Sequence, residues 1–138
     1  MTIGTARDGT ALLQMDEDRR DWLDQAGYTL LTAEGLLSGG LSGEAISSAF
    51  LAMIYAARAA LEGQGDDLSG WQDVAARFQS DALPALGLSK ENQRALPIVA
   101  DLYRRIGGGE MEADPVTAAA CLEDARSFLG EVEKKLRG

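Results

Sequence analysis

The sequence predicts an all-α protein, a single-domain up-and-down bundle of about five helices, and three features support this fold class. Apolar residues occupy almost every face of a helix over residues 45–61, where Arg58 is the only charged residue. A helix of this kind must be surrounded by other helices. Near the C-terminus, apolar residues recur every three or four positions. No segment alternates apolar and polar residues over a strand length, and 138 residues suffice for a single core.

The first predicted helix begins near Asp16. Residues 1–15 mix Gly, Thr and Asp, so we expect them to form a flexible lead-in and residues 16–138 to form the bundle. Apolar residues then follow at spacings of three and four, which indicates an amphipathic helix: Leu23, Ala26, Leu30, Ala33 and Leu37. Gly39 and Gly40 can adopt the left-handed conformation that ends a helix.

The central helix is predicted to begin with Ser42 as its N-cap and Glu44 in its first turn, and to stop at residues 63–65. One of its faces is made of small residues only: Ala45, Ala49, Ala52, Ala56 and Ala60. Small side chains permit close approach of a second helix. We therefore expect Ala49, Ala52 and Ala56 to contact either a core partner or a second copy of the chain. Arg58 should reach the rim of the bundle, near Glu62, or a cavity between two copies.

Two helices should follow the acidic loop at residues 66–67. Ser69 is the predicted N-cap of the third helix, which Pro84 and Gly87 end, and its predicted inward-facing residues are Trp71, Val74, Ala75 and Phe78. Ser89 can cap the fourth helix, which must kink or restart at Pro97 because proline has no N–H to donate. The inward face of this helix should carry Val99, Ala100, Tyr103 and Ile106.

The final helix begins after a glycine-rich break at residues 107–109. Asp114 is the predicted N-cap and Pro115 the first helical residue. The apolar repeat then comprises Ala118, Leu122, Ala125, Leu129, Val132 and Leu136. Three carboxylates before this helix, those of Glu110, Glu112 and Asp114, lack the ordered spacing of a cation site, so we interpret them as a solvated loop.

The charge balance and the absence of apolar leader segments restrict partners and location. Thirteen Lys and Arg against 22 Asp and Glu give a net charge of −9, which does not favour RNA or a nucleotide as a partner. The N-terminus has no apolar core of a signal peptide, and no apolar run approaches membrane-spanning length. We expect a cytoplasmic protein without a membrane segment. The single Cys121 lies in an Ala-rich helical pattern and should be a buried apolar residue.

Five segments, taken in order and with their loop lengths, resemble the HEPN domain family, in particular its small bacterial members. They cover roughly residues 21–136 and read WLDQAGYTLLTAEGLLSGG, SGEAISSAFLAMIYAARAAL, LSGWQDVAARF, ADLYRR and CLEDARSFLGEVEKKL. The resemblance implies a helical bundle that dimerises and is often encoded beside a minimal nucleotidyltransferase, as a toxin–antitoxin or regulatory pair. Catalytic members of the family are metal-independent ribonucleases that use an arginine followed, four to six residues later, by a histidine.

This chain departs from that catalytic pattern because it contains no histidine. Arg94 matches the motif arginine, but Asp101 takes the place of the histidine, Tyr103 follows it, and Leu68 stands where another family block has histidine. One hypothesis makes Arg94, Asp101 and Tyr103 a weak site that binds phosphate, accepts a proton and donates a hydrogen bond. The other has Asp101 paired with Arg104 or Arg105 one turn on, and Arg94 solvated.

We therefore predict a catalytically degenerate, HEPN-like binding or regulatory module. It should be a homodimer, need no cofactor or metal, and act with a protein partner such as a nucleotidyltransferase. The alternatives are a weak metal-independent ribonuclease and a nucleotide-binding regulatory domain.

Overall fold

The structure, a computed structural model, describes the backbone of residues 3–63 and 68–137 and the side chains of residues 17–63 and 68–137. These ranges contain helices and no strand. The helices are α1 (Ile3–Ser38), α2 (Ser42–Ala60), α3 (Trp71–Arg77), α4 (Leu83–Leu86), α5 (Lys90–Gly107) and α6 (Pro115–Arg137). A π-helical turn, Phe78–Ala82, joins α3 to α4 without a loop, so the two form one helical segment. The predicted all-α bundle is confirmed. None of the helices in the described ranges has the length and apolarity needed to cross a membrane.

Helix α2 lies at the centre of the bundle. Helices α1, α3, α5 and α6 all pack against it, as its apolar sequence predicts. Its small residues are closed off from solvent, and Ile46, Phe50 and Met53 on another face are buried as well. The hydrophobic core is therefore built around α2, which the other helical segments cover on almost every side.

The ends of α1 and α5 share one mechanism, in which a glycine with positive φ closes the helix. Gly40 has φ 81°, and the N–H of Leu41 donates to the carbonyl of Leu36 at 2.9 Å. Gly109 has φ 77°, and the N–H of Glu110 donates to the carbonyl of Arg105 at 2.8 Å. Such 6→1 bonds satisfy carbonyls that the helix leaves without partners. The predicted end of α1 is confirmed.

Some predicted boundaries differ from the structure. Helix α1 begins at Ile3, ahead of the predicted start near Asp16. Residues 1–2 and the side chains of the predicted lead-in lie outside the described residues. The predicted domain boundary at residue 15 therefore stays a prediction. Helix α2 ends at Ala60. Gly63 follows with φ 87°, and the rest of the predicted stop, residues 64–65, lies outside the described ranges.

Two of the four predicted N-caps are wrong and two are confirmed. Leu41 and not Ser42 precedes α2, and Gly70 and not Ser69 precedes α3. Ser42 is buried within the first turn of α2, and the exposed Leu41 before it has no polar side chain. Helix α2 therefore begins without a side-chain hydrogen bond from its N-cap residue. Ser89 caps α5 by accepting from the N–H of Asn92 at 3.3 Å, and Asp114 caps α6 through the N–H of Thr117 at 2.8 Å.

Both interior prolines are accommodated within helical segments. Pro84 does not end the third segment, which continues to Leu86 and closes at Gly87 with φ 70°. The π-helical turn Phe78–Ala82 ends two residues before Pro84 and contains the carbonyl of Ser80, four residues back, to which a residue with an N–H would donate in a regular α-helix. Helix α5 continues through Pro97 and does not restart there.

Candidate functional site

Two of the three residues predicted to form a site, Arg94 and Asp101, lie exposed on α5. The carboxylate of Asp101 accepts a hydrogen bond from Arg104 at 2.8 Å and lies 3.6 Å from a guanidinium nitrogen of Arg105. Arg104 also lies 3.5 Å from Glu110. The predicted pairing of Asp101 with the arginines one turn on is confirmed. Exposed pairs of this kind contribute little to stability, but they hold the Asp101 carboxylate in a surface network.

The third residue, Tyr103, belongs to an aromatic cluster that joins three helices. Its ring stacks on Phe50 of α2, with centroids 4.6 Å apart, and meets the edge of Trp71 of α3 at 5.7 Å. Phe50 and Trp71 contact each other edge to face at 5.1 Å. Tyr103 is half-buried and packs inward. Its position is accounted for by packing between α2, α3 and α5.

The small-residue face of α2 is fully occupied within one copy of the chain. Ala49, Ala52 and Ala56 have no exposed surface. Of the two partners expected for this face, helices of the same chain account for its burial.

Arg58, on the same helix, lies at the edge of the bundle and contacts an indole ring. Its guanidinium carbon is 4.6 Å from the centroid of the Trp22 ring, a cation–π geometry. Tyr55, one turn earlier on α2, stacks on Trp22 with centroids 5.8 Å apart. The indole N–H of Trp22 donates to Glu62 at 3.2 Å. Trp22 therefore joins α1 to the C-terminal end of α2 and to the turn after it through three different contacts.

The surface around Trp22 is an open groove between α1 and α2, with a volume of about 580 Å³. The described side chains that line it are Asp18, Asp21, Trp22, Gln25, Tyr55 and Glu62. At the end of α2, Arg19 donates to the carbonyls of Ala59 at 3.0 Å and Glu62 at 3.1 Å. A cation at this position complements the negative end of the helix dipole.

A second polar cluster joins α5 to α6. The carboxylate of Glu131 accepts from the amide of Asn92 at 2.7 Å, from the hydroxyl of Ser89 at 3.0 Å and from the Ser89 N–H at 3.0 Å. Asn92 is buried and also donates to the hydroxyl of Ser127 at 3.2 Å. These bonds, that from Asn92 first, hold the pKa of Glu131 below its ordinary value. The cluster places a negative charge at the N-terminus of α5.

The remaining candidate residues, Asp114 and Cys121, have structural roles. Asp114 caps α6, and the hydrogen bonds from Thr117 lower its pKa. In the part of the chain that the structure describes, no three His, Cys, Asp or Glu side chains are grouped as a metal site. Cys121 is buried, as predicted. Burial, with a smaller contribution from the charge of Asp124, raises the pKa of Cys121 to about 11.

Neither the groove nor the Glu131 cluster was predicted from the sequence. For the groove a signal exists, since Tyr55, Arg58 and Glu62 recur at spacings of three and four at the end of the apolar α2 and just after it. For the cluster there is none, because Asn92 and Glu131 are 39 positions apart and each resembles an ordinary exposed residue of an amphipathic helix.

Comparisons with known proteins agree on the type of bundle. The model of the HEPN domain family matches residues 19–135. Among solved structures, the chain is similar to TT1696 from Thermus thermophilus, with a TM-score of 0.71 and 22% sequence identity. That alignment covers 85% of this chain and 97% of the other, and at this identity it shows the fold. No curated protein matches the sequence.

Proposed function

The chain belongs to the HEPN domain family, and we propose that it is a catalytically degenerate member, a binding or regulatory module that works in the cytoplasm with a protein partner. The partner we propose is a nucleotidyltransferase-type protein, in a toxin–antitoxin-like or regulatory pair. The observation that carries the proposal is the complete absence of histidine from a chain whose family resemblance would require one for catalysis.

The surroundings of the substitute residues support a non-catalytic role. Asp101, at the position of the missing histidine, is paired with Arg104 and Arg105 on the surface. Tyr103 is packed against Phe50. A general base needs free access to the proton that it removes. To act on a substrate, Asp101 would have to leave its pairs with Arg104 and Arg105.

A ribonuclease assay tests the absence of catalysis. Purified protein is incubated with a structured RNA in EDTA, beside the Arg94→Ala variant. We expect no cleavage above the buffer control for either protein. Cleavage by the wild type that Arg94→Ala abolishes would refute the proposal and establish the ribonuclease alternative.

The protein partner is tested by co-expression. The product of the reading frame adjacent to the gene is co-expressed with the tagged chain, and the two are expected to elute together as one complex of defined stoichiometry. If the neighbouring product elutes separately at micromolar concentrations of both proteins, the proposed pair is wrong.

We also propose that the module is a homodimer, and the exposed apolar part of α1 supplies a surface for it. Tyr28 is 71% exposed and Leu31 63% exposed, and they flank a shallow groove that Leu23 and Leu129 line. Light scattering should give a dimer for the wild type and a monomer for Leu31→Glu. A matched control is Val116→Glu, at an 80% exposed position at the start of α6, which should remain a dimer. A monomeric wild type would contradict the proposal.

A further inference from the structure

We propose that the groove between α1 and α2, floored by Trp22 and Tyr55, binds an arginine- or lysine-bearing segment of the partner protein. The proposal rests on the proposed function in one respect, namely that the occupant belongs to a protein partner. The groove and its chemistry do not depend on which protein that is.

The floor of the groove is aromatic. The half-buried rings of Trp22 and Tyr55 stack at an interplanar angle of 24°, and both line the groove of about 580 Å³. Pockets of a few hundred cubic ångströms lined by aromatic rings and a few polar groups are typical binding sites. The hydrogen bond from Trp22 to Glu62 fixes the indole in place without a ligand. The floor is therefore preorganised for an occupant.

Among the described side chains that line the groove, all the ionised ones are carboxylates. Asp18 and Asp21 rise from α1 and are exposed, and Glu62 lies opposite them at the end of α2. Of the two nearby arginines, Arg19 donates to the carbonyls that end α2. Arg58 lies over part of the Trp22 ring without lining the groove, so the aromatic floor consists of the rest of that ring and of Tyr55. A net charge of −9 adds a long-range attraction for cations.

These two properties together select a cationic occupant. A guanidinium or ammonium group can lie against aromatic rings through cation–π attraction and at the same time donate to carboxylates. The contact of Arg58 with Trp22 is an example of this pairing within the molecule itself. Nucleic acid is disfavoured here, because its phosphates would meet three carboxylates. The partner segment should therefore be basic.

Fluorescence titration with a basic peptide tests the proposal. Tryptophan occurs only at positions 22 and 71, so Trp71→Phe leaves Trp22 as the single reporter and keeps an aromatic ring in its cluster. The probe is a capped peptide of four Arg-Gly repeats, and a capped peptide of four Glu-Gly repeats is its control. We expect the basic peptide alone to change the emission of Trp22 in a saturable manner. No change up to about 1 mM peptide, the limit of weak recognition, would refute the proposal.

Charge-matched variants separate groove binding from general attraction. Asp18→Asn with Asp21→Asn removes two exposed carboxylates from the groove and should weaken binding about tenfold. Glu44→Gln with Glu112→Gln removes two carboxylates near the start of α2, where Gly43 approaches Ala113, and should leave affinity within about twofold. Equal weakening by both pairs would mean that the peptide is attracted only by net charge, and would refute the groove.

The same variants distinguish this proposal from the proposed function. If the partner co-purifies as well with Asp18→Asn and Asp21→Asn together as with the wild type, the groove proposal is wrong while the protein pair stands. If no partner co-purifies but the peptide binds with the expected dependence on Asp18 and Asp21, the groove proposal stands while the protein pair fails.

Discussion

Removal of the Glu131 carboxylate should lower the free energy of unfolding by about 2 kcal/mol, because this group connects α6 to the start of α5. Glu131 accepts from Asn92 at 2.7 Å and from the hydroxyl and N–H of Ser89. A hydrogen bond to a charged group contributes about 1.5–3 kcal/mol, and an anion at a helix N-terminus about 0.3–1 kcal/mol. The bonds share one half-buried carboxylate and water can replace some of them, so these contributions do not add.

Urea denaturation of Glu131→Ala, followed by circular dichroism, measures this loss. For a domain of this size it corresponds to a decrease of about 5–8 °C in Tm. The matched control is Glu133→Ala, two positions on, where the carboxylate pairs with the exposed Arg137 at 2.8 Å. That variant should lie within about 0.5 kcal/mol of the wild type. Equal destabilisation by the two variants would refute the role assigned to Glu131.

The effect of Glu131 should also depend on pH in a defined direction. Its pKa in the folded protein lies below the ordinary 4.5, chiefly because of the hydrogen bond from Asn92. A group whose pKa is lowered by folding stabilises the protein above its unfolded pKa and loses this effect as pH falls through its folded pKa. The difference between wild type and Glu131→Ala should thus be constant from pH 7 to about 5 and shrink at lower pH. A difference that stays constant down to about pH 3 would show that the charged carboxylate is not the cause.

Three further predictions concern the core and the groove. Ala52→Glu should unfold the chain, since that side chain has no exposed surface, whereas Leu51→Glu, at a position that is 41% exposed, should keep its helical circular dichroism. Arg58→Ala should cost about 1 kcal/mol through the lost contact with Trp22, and Arg58→Lys should restore part of it, as urea titrations of both variants would show. Cys121 should fail to react with a thiol reagent at pH 8 in the native protein, because burial raises its pKa to about 11. Unfolding in urea removes the burial, so the thiol should then react fully. Rapid reaction of the native protein would contradict its burial.

The fold could be predicted because one feature of the sequence constrains all the others. An apolar helix without charges on most faces requires neighbours all around it, and α1, α3, α5 and α6 supply them. Close packing was predicted correctly from the small side chains of Ala49, Ala52 and Ala56. The helix that packs against them could not be predicted, because residue spacing defines a face of a helix but does not identify its neighbour. Their complete burial in one chain assigns them to the core.

The candidate site was predicted less well, because matching a residue to a position of the family motif does not show which side chains it contacts. The seven-residue spacing of Arg94 and Asp101 puts them near one face of α5, yet Asp101 has arginines three and four positions on, and such local pairs form on any exposed helix. Tyr103 was correctly placed on the inward face, but its contacts with Phe50 and Trp71 come from distant parts of the chain. Local spacing predicts the ion pairs, and only the tertiary structure brings the aromatic rings together.

The groove illustrates a signal that does not depend on any catalytic motif. On a central helix that is covered on almost every face, polar side chains are expected where the neighbouring helices leave a gap. Tyr55 on α2 and Glu62 just after it line the groove, and Arg58 lies between them in the sequence. On α1, Asp18, Trp22 and Gln25 recur at spacings of four and three and form a stripe that lines the same groove. These side chains join α1 to the end of α2, and most of them also line a groove that is open to a ligand. In a chain without histidine, this opening is where a retained function should be sought.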